Sequence, residues 1–275
     1  MNGRLRGIAL AAGALCFVAS PVFAQVAPAN KDQLKCETGQ SKSTAKFVSS
    51  KSKCAMKCLA TARKTMGPYT DCTPPYGGAT ALCISDATTG KGAEQKAVAS
   101  ITKGCTTDCP ACYADNNPSD CPGGTGFVAT AETNVDTVGP AVFCLENSNP
   151  AVTPNKEQAK CEDGVAKALV KYVGTFGKAV SKCVTNAFNQ KIGANQCVFS
   201  GMPPTVPDPA TQAAITAAAG KTAASIDKVC ANVPGATPPC YALTTGAQLT
   251  NLITGILATT SPDGFCGSPS GAFLD

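Results

Sequence analysis

The sequence predicts an all-α, disulfide-rich protein, a tandem duplication of a three-helix module. Three observations predict it. The chain of 275 residues carries 17 Cys but no His, no Trp and only 5% aromatic residues. It matches itself at an offset of 125 residues, and its apolar residues recur with the period of a helix rather than a strand.

The amino-terminal stretch 1–24 reads as a secretory signal. Arg4 and Arg6 precede an apolar run from Ile8 to Ala19, and Val22-Phe23-Ala24 places small residues where a signal peptidase reads, so cleavage is expected before Gln25. A rival route, lipoprotein processing at Cys16, is disfavoured by Leu15 in the position that normally needs a small residue. The run is too short to span a bilayer, and no later segment approaches the ~20 apolar residues a span requires. The chain is therefore expected to be secreted or periplasmic, and uncharacteristic of the reducing cytosol. No Asn-x-Ser/Thr sequon occurs, in keeping with a bacterial origin.

Losing the signal removes Cys16 and leaves an even 16 cysteines, enough for eight bridges. At the offset of 125, Cys36, Cys58, Cys72 and Cys105 fall on Cys161, Cys183, Cys197 and Cys230 without a gap. Lys35-Cys36-Glu37 meets Lys160-Cys161-Glu162, and Ser100-Ile101-Thr102-Lys103-Gly104-Cys105 meets Ser225-Ile226-Asp227-Lys228-Val229-Cys230. With small indels Cys112 answers Cys240 and Cys144 answers Cys266. Residues 25–150 and 151–275 thus read as two helical Cys-rich repeats. The first holds four extra cysteines: Cys54, Cys83, Cys109 and Cys121. Spacing alone leaves connectivity open, and the expected pairs are Cys36–Cys105, Cys161–Cys230, Cys109–Cys121 and Cys54–Cys83.

The first helix of the second copy is expected from Lys156 to Gln190, with Val165, Leu169, Tyr172, Val173, Phe176, Val180, Val184 and Phe188 on one face and Asn155 as N-cap. Its counterpart, Lys31 to Thr65, is Ser-rich but keeps a face through Leu34, Ala45, Val48, Ala55, Leu59 and Ala62. A second helix is expected from Pro209 to Cys230, capped by Asp208, with Pro209 suited to the first helical position. A third is expected from Gly246 to Thr259, with counterparts of these two at Gly92 to Lys103 and Ala131 to Val138. Helices this rich in Ala, Ser, Gly and Thr bury little apolar area, so bridges are expected to supply the missing stability.

The missing histidine excludes Ser-His-Asp and Cys-His nucleophiles and His-ligated metal sites, and no catalytic constellation replaces them. A non-catalytic structural or binding role is therefore expected, with no cofactor, no metal and no nucleic acid, the mature net charge being only +3. Cys109-Pro110-Ala111-Cys112 has the C-x-x-C form of thiol–disulfide redox centres but lacks a preceding strand, so it reads as a staple. Asp115 to Asp120 lacks the glycine and the terminal glutamate of a calcium loop. Gly220-Lys221-Thr222 lies within a helix and not after a strand, unlike a phosphate loop.

One surface pattern stands out. Lys31, Lys35, Lys42, Lys46, Lys53, Lys57 and Lys64 alternate at steps of four and seven, and Lys156, Lys160, Lys167, Lys171, Lys178 and Lys182 repeat the pattern. Eleven residues make almost three helical turns, so each set forms one stripe within an arc of about 80°. Residues 31–64 hold nine basic and two acidic side chains, whereas residues 105–150 hold six acids and no base. The stripes could be ordinary solvated faces, bind an anionic polymer or surface, or dock on the acidic half of a second copy. A further class is a carrier of an apolar ligand, for which the helix bearing Leu249, Leu252, Ile253, Ile256 and Leu257 is the best expected wall.

Overall fold

A computed structural model describes residues 28–65, 69–106, 110, 124–143, 155–200, 204–231 and 245–264. The described residues are all-helical: α1 Lys31–Thr65, α2 Gly78–Ile84, α3 Ala93–Gly104, α4 Gly124–Val142, α5 Lys156–Phe188, α6 Pro209–Ala231 and α7 Gly246–Gly264. Their only β feature is an isolated bridge between Ser200 and Thr205.

The two long helices start on asparagine caps. Asn30 accepts hydrogen bonds from the backbone of Asp32 and Gln33, at 2.9 and 3.0 Å. Asn155 accepts from Glu157 and Gln158, and the Gln158 side chain accepts from the Asn155 N–H, a complete capping box. Asp32 in the first turn of α1 and Arg63 with Lys64 in its last turn suit the helix dipole. Each long helix therefore runs about 50 Å at 1.5 Å per residue. Past α5, Gln190 takes the left-handed conformation (φ 57°) and turns the chain.

α1 and α5 lie antiparallel. Arg63, in the last turn of α1, reaches Glu162 and Asp163 near the start of α5, while Ser41 sits against Gly177 further along. On the other flank of α1 lies α3, where the Ser43 and Ser100 hydroxyls meet at 2.8 Å. α6 packs on α5, so closely that a Cβ on Gly164 would stand 2.7 Å from Val229. Asp227 of α6 accepts from the backbone of Gly246 at the start of α7, and Tyr172 of α5 bonds Thr254 of α7 at 2.8 Å.

The core divides in two. The larger part gathers the buried face of α5 (Val165, Leu169, Tyr172, Phe176, Val180 and Val184) with α6, α7 and the carboxy-terminal ends of α1 and α4. The smaller part joins Phe47 of α1 to Ile84, Ile101 and Val128. Bridges reinforce both. Cys36–Cys105 and Cys161–Cys230 each close 69 residues, Cys58–Cys72 and Cys183–Cys197 each close 14, and Cys54–Cys83 closes 29. Loops of these lengths correspond to roughly 3–4 kcal/mol per bridge if restriction of the unfolded chain dominates. The expected Cys109–Cys121 pair lies outside the described residues, as do Cys112, Cys144, Cys240 and Cys266.

Three details differ from the sequence expectation, one being α7, which runs past the expected Thr259 to Gly264. α2 was not foreseen: it is only seven residues long, and Cys83 ties it to α1. α4 runs from Gly124 to Val142, well beyond the expected Ala131 to Val138. Low intrinsic propensity in the Gly- and Thr-containing first turns hid that extension, which packing against α1 and α3 supplies.

Candidate functional site

A cavity of about 180 Å³ opens where the two halves of the chain meet. α1 contributes one helical stripe to its wall: Gln40, Thr44, Val48, Ser52 and Ala55, spaced by four or three residues. α4 faces it with Ala131, Val135, Val138 and Val142, and Phe143 follows at its end. From the other half, α5 adds Ala166, Leu169, Val170 and Val173, and α7 adds Ile253, Ile256 and Leu257. The segment after the short 3-10 turn at Thr70–Cys72 closes one side with Thr73, Pro74 and Tyr76. Exposed Pro74 and Thr130 lie at the solvent edge. The lining is apolar because four helices turn Val, Ile, Leu and Phe toward one line and small residues between them leave it unfilled.

No lining residue is charged. Gln40 is only 5% exposed; its Nε2 donates to Thr44 Oγ1 at 3.2 Å, and its Oε1 has no hydrogen-bond partner.

A polar cluster backs this wall. Lys51 Nζ is fully buried, 2.6 Å from Glu132 Oε1 and 2.7 Å from Asp136 Oδ1. It also stands 5.0 Å from the centre of the Tyr76 ring, whose hydroxyl donates to Asp136 at 2.9 Å. Burial, then the adjoining Asp136 and Glu132 charges, push the Tyr76 phenol well above its ordinary range, so it remains a donor. The cluster clamps α4 and the Tyr76 segment onto α1. It also consumes two of the six acids that make residues 105–150 acidic, which weakens the case for that half as a docking face for a lysine stripe.

Two other carboxyls are buried. Glu162 pairs with Arg63 at 2.7 Å, yet burial outweighs that attraction and raises it to about 7. Glu37 is 1% exposed, has an unpartnered Oε2, and is raised by burial to about 8, so it is protonated at neutral pH. The carboxyls stand 125 positions apart; Arg63 answers by the same offset to Phe188, an aromatic that has no charge to offer Glu37.

Every lysine of the two stripes is exposed: Lys31, Lys35, Lys42, Lys46, Lys53, Lys57 and Lys64 on α1, and Lys156, Lys160, Lys167, Lys171, Lys178 and Lys182 on α5. Lys160 pairs with Glu157 at 2.9 Å, and among the described residues no other stripe lysine makes an ion pair. Sequence reasoning placed the stripes but missed Lys51, Gln40 and Glu37. Lys51 carried a signal, since it falls outside the four-and-seven register and faces Phe176 at the offset of 125. Glu37 carried another, since it recurs with its neighbouring cysteine as Glu162.

The remaining motifs add no chemistry. Cys109, Cys112 and the stretch from Asp115 to Asp120 lie outside the described residues. Gly220-Lys221-Thr222 is interior to α6, and the Thr222 hydroxyl donates to the Ala218 carbonyl of the same helix at 2.8 Å. Among the described residues no group of three His, Cys, Asp or Glu could hold a metal ion, and no helix is long and apolar enough to cross a membrane. No protein family, curated protein or solved structure matches this chain.

Proposed function

We propose that this chain is an exported, non-catalytic binding protein whose two helical repeats enclose an apolar ligand between them. The observation that carries the reading is the cavity: about 180 Å³, uncharged, and walled from both halves. An apolar cavity of roughly 150 Å³ is large enough to hold benzene, so this one suits a small ring or part of an acyl chain. The bridges at equal spacings, 69 and 14 residues in each half, support the two-copy reading and explain how small-residue helices keep such a space open. The signal-like stretch 1–24 and the bridges support export to an oxidising, secreted or periplasmic setting. Native mass spectrometry of the purified full chain tests the reading. A mass increment that organic extraction removes supports it; a bare mass together with no binding of the uncharged fluorophore N-phenyl-1-naphthylamine rejects it.

A second reading rests on the thirteen exposed stripe lysines, which suit an anionic polymer or surface. Retention on heparin resin is expected to fall at about 0.5 M salt. It is also expected to fall when Lys42, Lys46, Lys167 and Lys171 become Gln. Salt-insensitive retention removes this reading. Concentration-dependent self-association with the same salt response is the outcome that favours docking between copies instead.

A further inference from the structure

We propose that the two lysine stripes form one flat basic face that docks on the surface of an anionic phospholipid bilayer. The inference rests on the second reading above and names the partner.

The stripes share one side of the molecule. α1 and α5 meet side by side where Ser41 stands against Gly177 and where Arg63 holds Glu162 and Asp163. At 3.6 residues per turn, the α1 stripe lies roughly 120° around its helix from Ser41, and the α5 stripe roughly 100° around from Gly177. Both turns follow the direction of their own chain. Because the helices are antiparallel, such equal turns lead to the same side of the pair. The other side is occupied: Lys51 of α1 reaches Glu132 and Asp136 of α4, and Tyr172 of α5 bonds Thr254 of α7. The lysines therefore stand in two rows opposite α4 and α7, roughly 10 Å apart and about 40 Å or more long.

Little offsets their charge. Glu157 is engaged by Lys160 and Asp163 by Arg63, and no other stripe lysine makes an ion pair among the described residues. Exposed lysines continue on the flanking helices: Lys96 and Lys103 on α3 and, 125 positions on, Lys221 and Lys228 on α6.

The arrangement suits a fluid lipid surface better than a polymer. Two rows on neighbouring helices spread charge over an area, whereas a single polyanion chain needs one line. Within each row the steps alternate between about 6 and 10 Å. Phosphates free to move laterally can match that alternation, and a polymer of fixed repeat cannot. Lysine, a point charge on a flexible stem, fits such mobile partners. Among the described residues the exposed large apolar side chains are Leu82 of α2 and Leu252 of α7. Nothing of that kind on α1 or α5 inserts among acyl chains or stacks on bases, so attachment is electrostatic and superficial.

The experiment is sedimentation of the full chain, bridges intact, with vesicles of phosphatidylcholine alone or containing phosphatidylglycerol, at about 0.05 and about 0.5 M salt. Binding is expected only with phosphatidylglycerol and at the lower salt. Lys42→Gln with Lys46→Gln on α1, and Lys167→Gln with Lys171→Gln on α5, are each expected to weaken it at least about tenfold. All four together are expected to weaken it about a hundredfold, with circular dichroism checking that the variants fold. Equal binding to both vesicle types overturns the proposal. So do row variants that each lose only about twofold, because rows on opposite sides would substitute for one another. Salt-sensitive heparin retention without vesicle binding overturns it too, but leaves the second reading standing with a polymer as occupant. With neither vesicle binding nor heparin retention both fall, and salt-sensitive self-association then assigns the face to a second copy.

Discussion

Lys51 and Phe176 occupy corresponding places in the two long helices, 125 positions apart, and are buried for opposite reasons. Phe176 stacks on Phe199 at 5.2 Å and meets Tyr172 edge-on at 6.2 Å. Lys51 reaches two half-exposed carboxylates and a tyrosine face instead. One half of the molecule closes its core with an aromatic cluster, the other with a charge triad. Breaking the triad from the lysine side leaves two adjacent carboxylates without a cation. Lys51→Met is therefore expected to lower unfolding free energy by about 3 kcal/mol in urea titrations at pH 7. Glu132→Gln is expected to cost clearly less, because Asp136 still holds the ammonium.

Glu37 makes stability depend on pH. Its folded pKa of about 8 stands above the ordinary 4.5, so between those values the unfolded chain has ionised while the folded one has not. Its contribution is fully present below about pH 4.5, declines as pH rises, and has been lost by pH 8. Glu37→Gln keeps the shape and removes the titration. The variant is expected to match the unaltered protein at pH 4 and to exceed it at pH 9 by on the order of 3 kcal/mol. Parallel denaturation curves at both pH values, with the bridges intact, decide it.

Arg63 and Glu162 show the same physics with a partner present. Removing the guanidinium exposes the buried carboxyl to its full desolvation cost and raises it further above about 7. Arg63→Leu is expected to cost about 3 kcal/mol at pH 8, where the unfolded carboxyls are ionised. The cost should shrink below about pH 4.5, where both states are protonated. A loss of equal size at pH 4 and pH 8 would show that packing of the arginine stem, and not charge, is what α1 loses.

The cavity can be filled from its own wall. Gly139 lines it, and a Cβ there meets nothing within 4 Å. Gly139→Leu is expected to weaken N-phenyl-1-naphthylamine binding at least about tenfold, since the side chain takes the ligand's place. Stability should change by no more than about 1 kcal/mol, because loss of the helical glycine is offset by the following Pro140. Unchanged fluorophore binding in the folded variant would place the probe elsewhere.

How much of this was legible depended on how many sides of a helix are buried. α5 shows its period plainly at Val165, Leu169, Tyr172, Phe176, Val180 and Val184, because a single continuous apolar arc faces the core. α1 revealed its extent, Lys31 to Thr65, but little of its buried surface. It is packed by α3, α4 and α5, so its buried arc is wide and takes in Glu37, Gln40, Ser43 and Lys51. The two carboxylates that make a buried Lys51 tolerable stand 81 or more residues away and leave no local pattern. The exposed stripes were legible because solvation leaves periodicity undisturbed. The cavity was not, because an unfilled volume belongs to the meeting of four helices and to none of their sequences.

α1 carries Cys36, Cys54 and Cys58, whose partners Cys105, Cys83 and Cys72 follow in reverse order, so the three bridges are nested. An oxidase acting on thiols in order of emergence meets Cys36 and Cys54 first. In a formed α1 those two sulfurs are held about 27 Å apart along the axis and cannot join. The helix thus acts as a ruler that forbids the earliest wrong crosslink. Cys58 and Cys72, only 14 residues apart, can close as soon as both have appeared, and the wider loops follow outward from them. Among the described bridges of the first half, the spacing of Cys36, Cys54 and Cys58 along one helix thus limits which thiols can meet.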